Sequence, residues 1–326
     1  MSLAFNRDFE PRHGEAVLVA PGVRRVTARN PGPFTFHGTN TFLVGEEELA
    51  ILDPGPPDPN HIEALMRAIG GSRVAHILVS HSHVDHSPAA RLLQARTGAP
   101  ILAAGPHRPA RVLRGAVKGR LDAGADLDFS PDVQLADGEI VEGGGYRLEA
   151  VATPGHAANH LAFALLGGDI IFPGDHVMGW ATTIVAPPDG SMSDYMASLE
   201  RLLARLESRY LPAHGGEIRD AHAFVRGLKG HRKMRERAIV ERLAQGDRTI
   251  AEMVPRIYGG LDPRLAGAAA LSTLAHLEDL LTRRIVSSDA GPSLSGRYWL
   301  TGASGSPAAA GSGSAGAAGV GASGLG

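Results

Sequence analysis

His81-Ser82-His83-Val84-Asp85-His86 stands at the end of a short apolar run, Ala75 to Ser80, and just before Ser87-Pro88, where a helical pattern begins. The run reads as a strand. Pro88 to Thr97 reads as a helix, with Ser87 as its N-cap and Pro88 in the first helical position. Alternate residues of an extended chain point the same way, so His81 and His83 can present imidazoles to a single metal. Once the chain turns, Asp85 and His86 face the same cavity from another angle. Neutral imidazole and carboxylate are the natural ligands for Zn²⁺ and related ions when no thiolate is on offer. Four ionisable residues within six, three of them histidine, set this stretch apart from a polar loop.

The chain has 326 residues, fifteen of them histidine and none of them cysteine. Disulfide scaffolds, thiolate zinc sites, iron–sulfur clusters and cysteine nucleophiles are therefore excluded. No apolar run approaches the roughly 20 residues that a membrane span needs, and the opening residues lack the order of a signal peptide. The expected compartment is the cytoplasm.

Working outward, Ala16 to Ala20, Val23 to Ala28, Thr39 to Val44 and Glu48 to Leu52 read as successive strands, and Pro59 to Ile69 as a helix. Strands return between residues 133 and 173, including Arg147 to Ala152, Leu161 to Leu165 and Asp169 to Phe172. A helix is expected over Met192 to Leu206, with an apolar stub at Tyr210 to Leu211. Residues 219 to 301 carry 14 basic against 9 acidic residues, whereas residues 1 to 218 carry 18 against 25. Helical patterns at Asp220 to Gln245, Ile250 to Tyr258 and Arg264 to Thr282 precede strand-like Arg284 to Ser287 and Arg297 to Leu300, the layout of a winged helix. The expected organisation is a catalytic body over 1–218, a winged-helix-like domain over 219–301 and a disordered Gly/Ala/Ser tail over 302–326.

Further side chains at strand-end turns are Asp53 in Ile51-Leu52-Asp53-Pro54-Gly55, His156 in Thr153-Pro154-Gly155-His156, Asp175 after Pro173-Gly174, and His214 before Gly215-Gly216. With the first cluster, these motifs resemble the metallo-β-lactamase superfamily, in their expected order, from about Glu15 to Gly216. The resemblance implies an α+β fold, an αββα sandwich of two mixed sheets. It implies that His81, His83 and His156 hold one metal, that Asp85, His86 and His214 hold another, that Asp175 lies between them, and that Asp53 supports the site from behind. Two divalent ions, Zn²⁺ by preference, are the implied cofactors. His160 and His176 fall outside this pattern, and His13, His37, His61, His76, His107, His222 and His276 are read as structural.

A finer resemblance, through Gly38 to Gly45, Asp194 to Leu199, His231 to Glu236 and the winged helix, is to the β-lactamase-like protein 2 group of endoribonuclease type. That group usually has Pro-Gly-His-Gly-Pro where this chain has Pro212-Ala213-His214-Gly215-Gly216, which implies a looser loop at the second metal. The implied activity is hydrolysis by a metal-bridging hydroxide oriented by Asp85, with single-stranded RNA as first substrate. Arg232, Lys233, Arg235 and Arg237 would suit a polyanion, though the same helix carries Glu236 and Glu241 and also reads as a solvated face. The alternatives are a small-molecule ester or thioester substrate, as for an acyl-glutathione hydrolase, a mononuclear iron persulfide dioxygenase, and a nucleic-acid-binding module with a structural metal. Oligomeric state is not encoded in these features.

Overall fold

The computed structural model describes residues 3–111 and 124–302. Strands β1 (Val17–Ala20), β2 (Val23–Thr27), β3 (Asn40–Val44) and β4 (Glu48–Leu52) pair antiparallel in sequence order. Helix α1 (Pro59–Ile69) then returns the chain to β5 (Arg73–Leu78), and α2 (Ala89–Thr97) to β6 (Ile101–Ala103), each parallel to the strand before it; β7 (Val133–Gln134) closes the seven-stranded sheet. A second sheet contains β8 (Ile140–Gly143), β9 (Tyr146–Ala152), β10 (Leu161–Leu165), β11 (Ile170–Phe172) and β12 (Arg209–Tyr210), antiparallel except for the β11–β12 pair.

Strand periodicity explains the layering. Phe42, Val44, Ala50, Leu52 and Leu78 point between the sheets and meet Leu148, Ala150, Phe163 and Phe172. Leu43, Leu49, Ile51 and Ile77 point the other way, against Leu65 and Ile69 of α1 and Leu93 of α2. Because both faces of these strands are covered, they read as continuous apolar runs. The outer face of the second sheet takes α3 (Met192–Leu203), with Tyr195, Leu199 and Leu202 buried on it. The result is the expected αββα sandwich of two mixed sheets.

Helix α4 (Ala221–Ala244), α5 (Ile250–Ile257) and α6 (Ala266–Thr282), followed by the hairpin β13 (Val286–Ser288) and β14 (Tyr298–Leu300), form the winged helix. Ile239, Leu243, Met253, Leu274, Leu277 and Tyr298 make its own core. Val225, Leu228 and Ala275 instead join the cluster on the second sheet, so α4 and α6 pack against the sandwich. The expected tail lies outside the described residues beyond Gly302.

Two local expectations are corrected. Helix α2 begins at Ala89 with Pro88 already in helical conformation, and no side chain caps it. The Ser87 hydroxyl donates to Asp126 Oδ2 at 2.7 Å instead. The short strand β6 was not expected at all; its three residues, Ile101–Ala103, are too few to show a period.

Helix α5 begins with a complete capping box, Thr249 accepting from Glu252 N–H while Glu252 reaches back to Thr249 N–H. Thr249→Ala is expected to cost about 1 kcal/mol of stability, read as a lower midpoint in urea. An unchanged midpoint would mean that this box does not hold the start of α5.

Candidate metal centre

One rim of the sandwich collects the chemistry. Asp53 follows β4, His81 and His83 follow β5, His156 follows β9, Asp175 follows β11 and His214 follows β12. Each leaves the C-terminal end of its strand, where the side chain is free of the ladder. Asp53 takes a left-handed backbone (φ 50°), which a non-glycine residue adopts only when its surroundings enforce it. They do: its carboxylate accepts from Ser80 N–H at 2.7 Å and from the Ser80 hydroxyl at 2.8 Å, and its carbonyl accepts from Thr41.

The imidazoles converge with their tautomers already set. Ser80 Oγ spends its proton on Asp53, so it accepts from His81 Nδ1–H at 3.0 Å. His86 donates from Nδ1 to Asp53 Oδ2 at 3.1 Å, His156 from Nδ1 to the Ile184 carbonyl at 2.7 Å, and His214 from Nδ1 to the Gly38 carbonyl at 3.1 Å. Each of these rings therefore turns Nε2 inward. His83 is reversed, with Nδ1 inward, 3.0 Å from His81 Nε2 and 3.0 Å from His156 Nε2. On the other side, Asp85 Oδ2 lies 3.4 Å from His86 Nε2 and 3.2 Å from His214 Nε2, and Asp175 lies 3.6 Å and 3.3 Å from the same two atoms.

Charge follows from these neighbours. Burial opposes protonation of His86, yet Asp85, Asp175 and Asp53 together hold its pKa well above the usual histidine value. His214 is likewise pushed up to about 10 against its burial, by Asp175 and Asp85. Burial tends to raise both carboxyls, but His86 and His214 hold Asp85 and Asp175 well below the usual carboxylate range. In the other group burial dominates: His156 falls to about 4, and His81 well below its usual value, as neighbouring imidazoles add to the effect.

This donor set fits bound cations. His86 Nε2, His214 Nε2 and Asp175 Oδ1 are buried and without a hydrogen-bond partner. Three groups bring their ligand atoms within 4.8 Å of one another: His81, His83 and His156; His81, His86 and Asp175; and Asp85, His86 and His214. Imidazole lone pairs facing each other at hydrogen-bond distance, with the outward N–H groups committed elsewhere, call for a positive charge between them.

The seven expected side chains thus meet at one place. The loop around His214, with its Ala-His-Gly-Gly sequence, is hydrogen-bonded from two sides. Asn40 donates to the carbonyls of Pro212 and Gly215, and Ala213 N–H donates to the Gly174 carbonyl. His160 proves to be a support, its Nε2 accepting from Asp175 N–H and its Nδ1 donating to Thr153. Sequence reasoning missed Asp189 and set His107 aside as structural; Asp189 lies beside His83, and His107 lies beside Asp189. Only a pairing of distant loops brings them there, and no local motif marks it.

Residues 34–214 match the family model of the metallo-beta-lactamase superfamily, and residues 249–297 match the beta-lactamase associated winged helix domain. The lactamase-like protein adaB of Aspergillus niger is 30% identical over 320 residues, covering 92% of this chain and 91% of the relative. An atrochrysone carboxyl ACP thioesterase of Aspergillus chevalieri is 30% identical over 254 residues, covering 74% of each. Among solved structures, a beta-lactamase domain protein from Burkholderia ambifaria aligns with TM-score 0.72 at 23% identity, covering 90% of this chain and 96% of that one. Family model, relatives and fold agree with the convergence of seven ligand-type side chains at the strand ends, and the chain belongs to the metallo-beta-lactamase superfamily.

Proposed function

We propose that the protein is a metal-dependent hydrolase of acyl thioesters, working with two divalent ions, Zn²⁺ by preference. The observation that carries the hydrolase reading is the paired donor set, five imidazoles and two carboxylates with fixed tautomers and buried, unpartnered atoms turned inward. In this reading His81, His83 and His156 hold one ion, Asp85, His86 and His214 the other, and Asp175 stands between. Divalent ions so held supply Lewis acidity and lower the pKa of a water in their shell.

The chain's own residues do the rest. Asp85 is the most exposed of the two carboxylates, with 22% of its side chain accessible, and can orient the attacking water towards the acyl carbon. The attacking water passes its proton by way of Asp85 to solvent as the C–O bond forms. The C–S bond breaks, and the sulfur leaves as thiolate without needing a general acid because thiols ionise near pH 8.5; the carboxylic acid product loses its proton to solvent. In the metal-free protein His86 and His214 hold Asp85 well below the usual carboxylate range, and when an ion displaced their protons its positive charge would keep Asp85 ionised in their place, able to accept a hydrogen bond from the water.

Thioester chemistry is supported by the relatives named atrochrysone carboxyl ACP thioesterases, which align over about three-quarters of both chains. The RNA expectation finds no such support, and two of its four basic residues are engaged within the protein. Arg232 is buried, donating to the Thr183 carbonyl and to Ser272, and Arg235 donates to the Ile257 carbonyl and stacks on Tyr258. Lys233 and Arg237 remain exposed.

Metal-loaded protein is expected to release free thiol from acyl-glutathione, acyl-coenzyme A or acyl-carrier thioesters in a thiol-reactive dye assay. Asp85→Asn should lower kcat by about 10²–10⁴-fold, the range of a positioned proton-handling group. Cleavage of labelled RNA oligomers with no thioester turnover would overturn the substrate reading, and one iron per chain by elemental analysis would favour the oxygenase.

A second expectation concerns pH. His214 is protonated in the metal-free protein up to about 10, against about 6.5 when unfolded. Its pairing with the aspartates therefore stabilises the metal-free fold fully below pH 6.5 and is lost as pH climbs through 10, while an ion must displace the same proton. The rise in melting temperature on adding Zn²⁺ should accordingly grow with pH up to about 10, and proton release on binding should be seen with an indicator dye at pH 7. A stabilisation independent of pH would contradict the His214 pairing.

A further inference from the structure

His83 is the one imidazole of the cluster that turns Nδ1 inward, and its outward nitrogen faces a carboxylate that the reading so far has not used. Asp189 Oδ2 lies 3.5 Å from His83 Nε2, and Asp189 Oδ1 lies 3.5 Å from His107 Nε2. Asp189 is buried, only 8% exposed, and Oδ1 is without a conventional hydrogen bond. A buried carboxylate between two imidazoles is costly unless both rings turn N–H groups towards it.

The hydrogen-bond chain behind His107 accommodates this. Asn159 donates its amide to Ser82 Oγ at 2.9 Å, so the Ser82 hydroxyl proton is free for His107 Nδ1 at 3.2 Å. Accepting at Nδ1, a neutral His107 carries its proton on Nε2, the atom facing Asp189. His83 offers its lone pair inward from Nδ1, so its proton also sits on Nε2 and also faces Asp189.

The loop bearing Asp189 is fixed from two sides. Gly190 N–H donates to the Ala186 carbonyl and Ser191 N–H to the Gly155 carbonyl, next to His156. A Cβ at Gly190 would stand 2.7 Å from Ala186 N and 2.9 Å from Gly155 O, so only glycine allows this approach. Ala110 N–H donates to the Pro188 carbonyl, tying the His107 loop to the Asp189 loop.

We infer that Asp189, backed by the Asn159–Ser82–His107 chain, is a positioning residue that fixes the tautomer and ring plane of His83 and so sets the strength of the cation site formed by His81, His83 and His156. This rests on the reading of those three as cation ligands. Carboxylates that accept from a ligand imidazole raise its basicity, and removing one commonly costs 10–100-fold in metal affinity.

The test is titration of chelated protein with Co²⁺, following visible absorption and competition with a chromophoric chelator, for wild type, Asp189→Ala, Asp189→Asn and His107→Gln. Wild type should fill both sites. Asp189→Ala should weaken one site by about 10–100-fold and alter its absorption bands, while the other site and the melting temperature of the metal-free protein stay within error. Asp189→Asn keeps the shape but can accept from only one of the two rings, so it should fall between, and His107→Gln should have a smaller effect. Unchanged affinity and spectrum in folded Asp189→Ala or Asp189→Asn, with wild type binding normally, would overturn the inference. Failure of wild type to bind would instead remove the ligand reading on which it stands.

Discussion

Three imidazole nitrogens, His81 Nε2, His83 Nδ1 and His156 Nε2, face one another at about hydrogen-bond distance with no proton assigned between them, because the opposite nitrogens of their rings are engaged elsewhere. That arrangement is unfavourable without a positive charge, and the sandwich exists in the form that enforces it. The outward acceptors come from separate elements: Ser80 after β5, Ile184 in the loop after β11, Asp53 after β4, and Gly38 before β3. They stay in register only if the two sheets are locked face to face. The Phe42 and Phe172 rings, one from each sheet, touch with centroids 5.0 Å apart in that shared core. A purely local loop could hold two ligands, but not the outward partners of five.

The winged helix takes part in this through packing. Arg232 of α4 reaches the Thr183 carbonyl, and the Thr183 hydroxyl in turn donates to the carbonyls of Asp175 and His176. The guanidinium also lies over the Tyr195 ring, 5.1 Å from its centroid, and that ring packs against His176. A charge that the sequence displays as part of a basic run is thus buried at the junction between α4 and the loop carrying Asp175. Two acceptors, the Thr183 carbonyl and the Ser272 hydroxyl, hold this buried guanidinium. Here it anchors a helix to a ligand loop instead of forming a surface for phosphates.

The legibility of the chain divides along the same physical line. Contiguous signals were readable: strand β4 and helix α1 fall on the expected residues, and His81 to His86 announces its chemistry because every member sits in one turn. The dispersed members of the cluster, His156, Asp175 and His214, stood out only through family motifs, since a histidine at a turn carries little meaning alone. The helices and hairpin of the winged helix were readable from periodicity, while the αββα sandwich was readable through the family resemblance. Beyond reach were β6, too short to show alternation, the role of Ser87, whose hydroxyl is claimed by Asp126 across 39 positions, and the burial of Arg232. Each depends on a partner distant in sequence. Asp189 is the sharpest case, since its meaning lies in the facing of two loops that share no pattern.

The two halves of the donor set differ in charge. Asp85 and Asp175 lie against His86 and His214, so that group brings carboxylates directly to whatever it holds. The His81, His83 and His156 group brings neutral nitrogens, with burial driving His81 and His156 further from protonation. Asp175, 3.7 Å from His156 Nε2, is the carboxylate nearest this group, and further counter-charge comes from the next layer outward, where the Coulomb energy at a given distance grows as the surroundings become less polar. Asp53 supplies it behind His81 through Ser80, and Asp189 supplies it behind His83. The reversed ring of His83 follows from this: with Nδ1 turned inward, its far nitrogen reaches a carboxylate on a loop that is itself bonded to the backbone beside His156. Orientation and counter-charge are thus delivered by the same side chain.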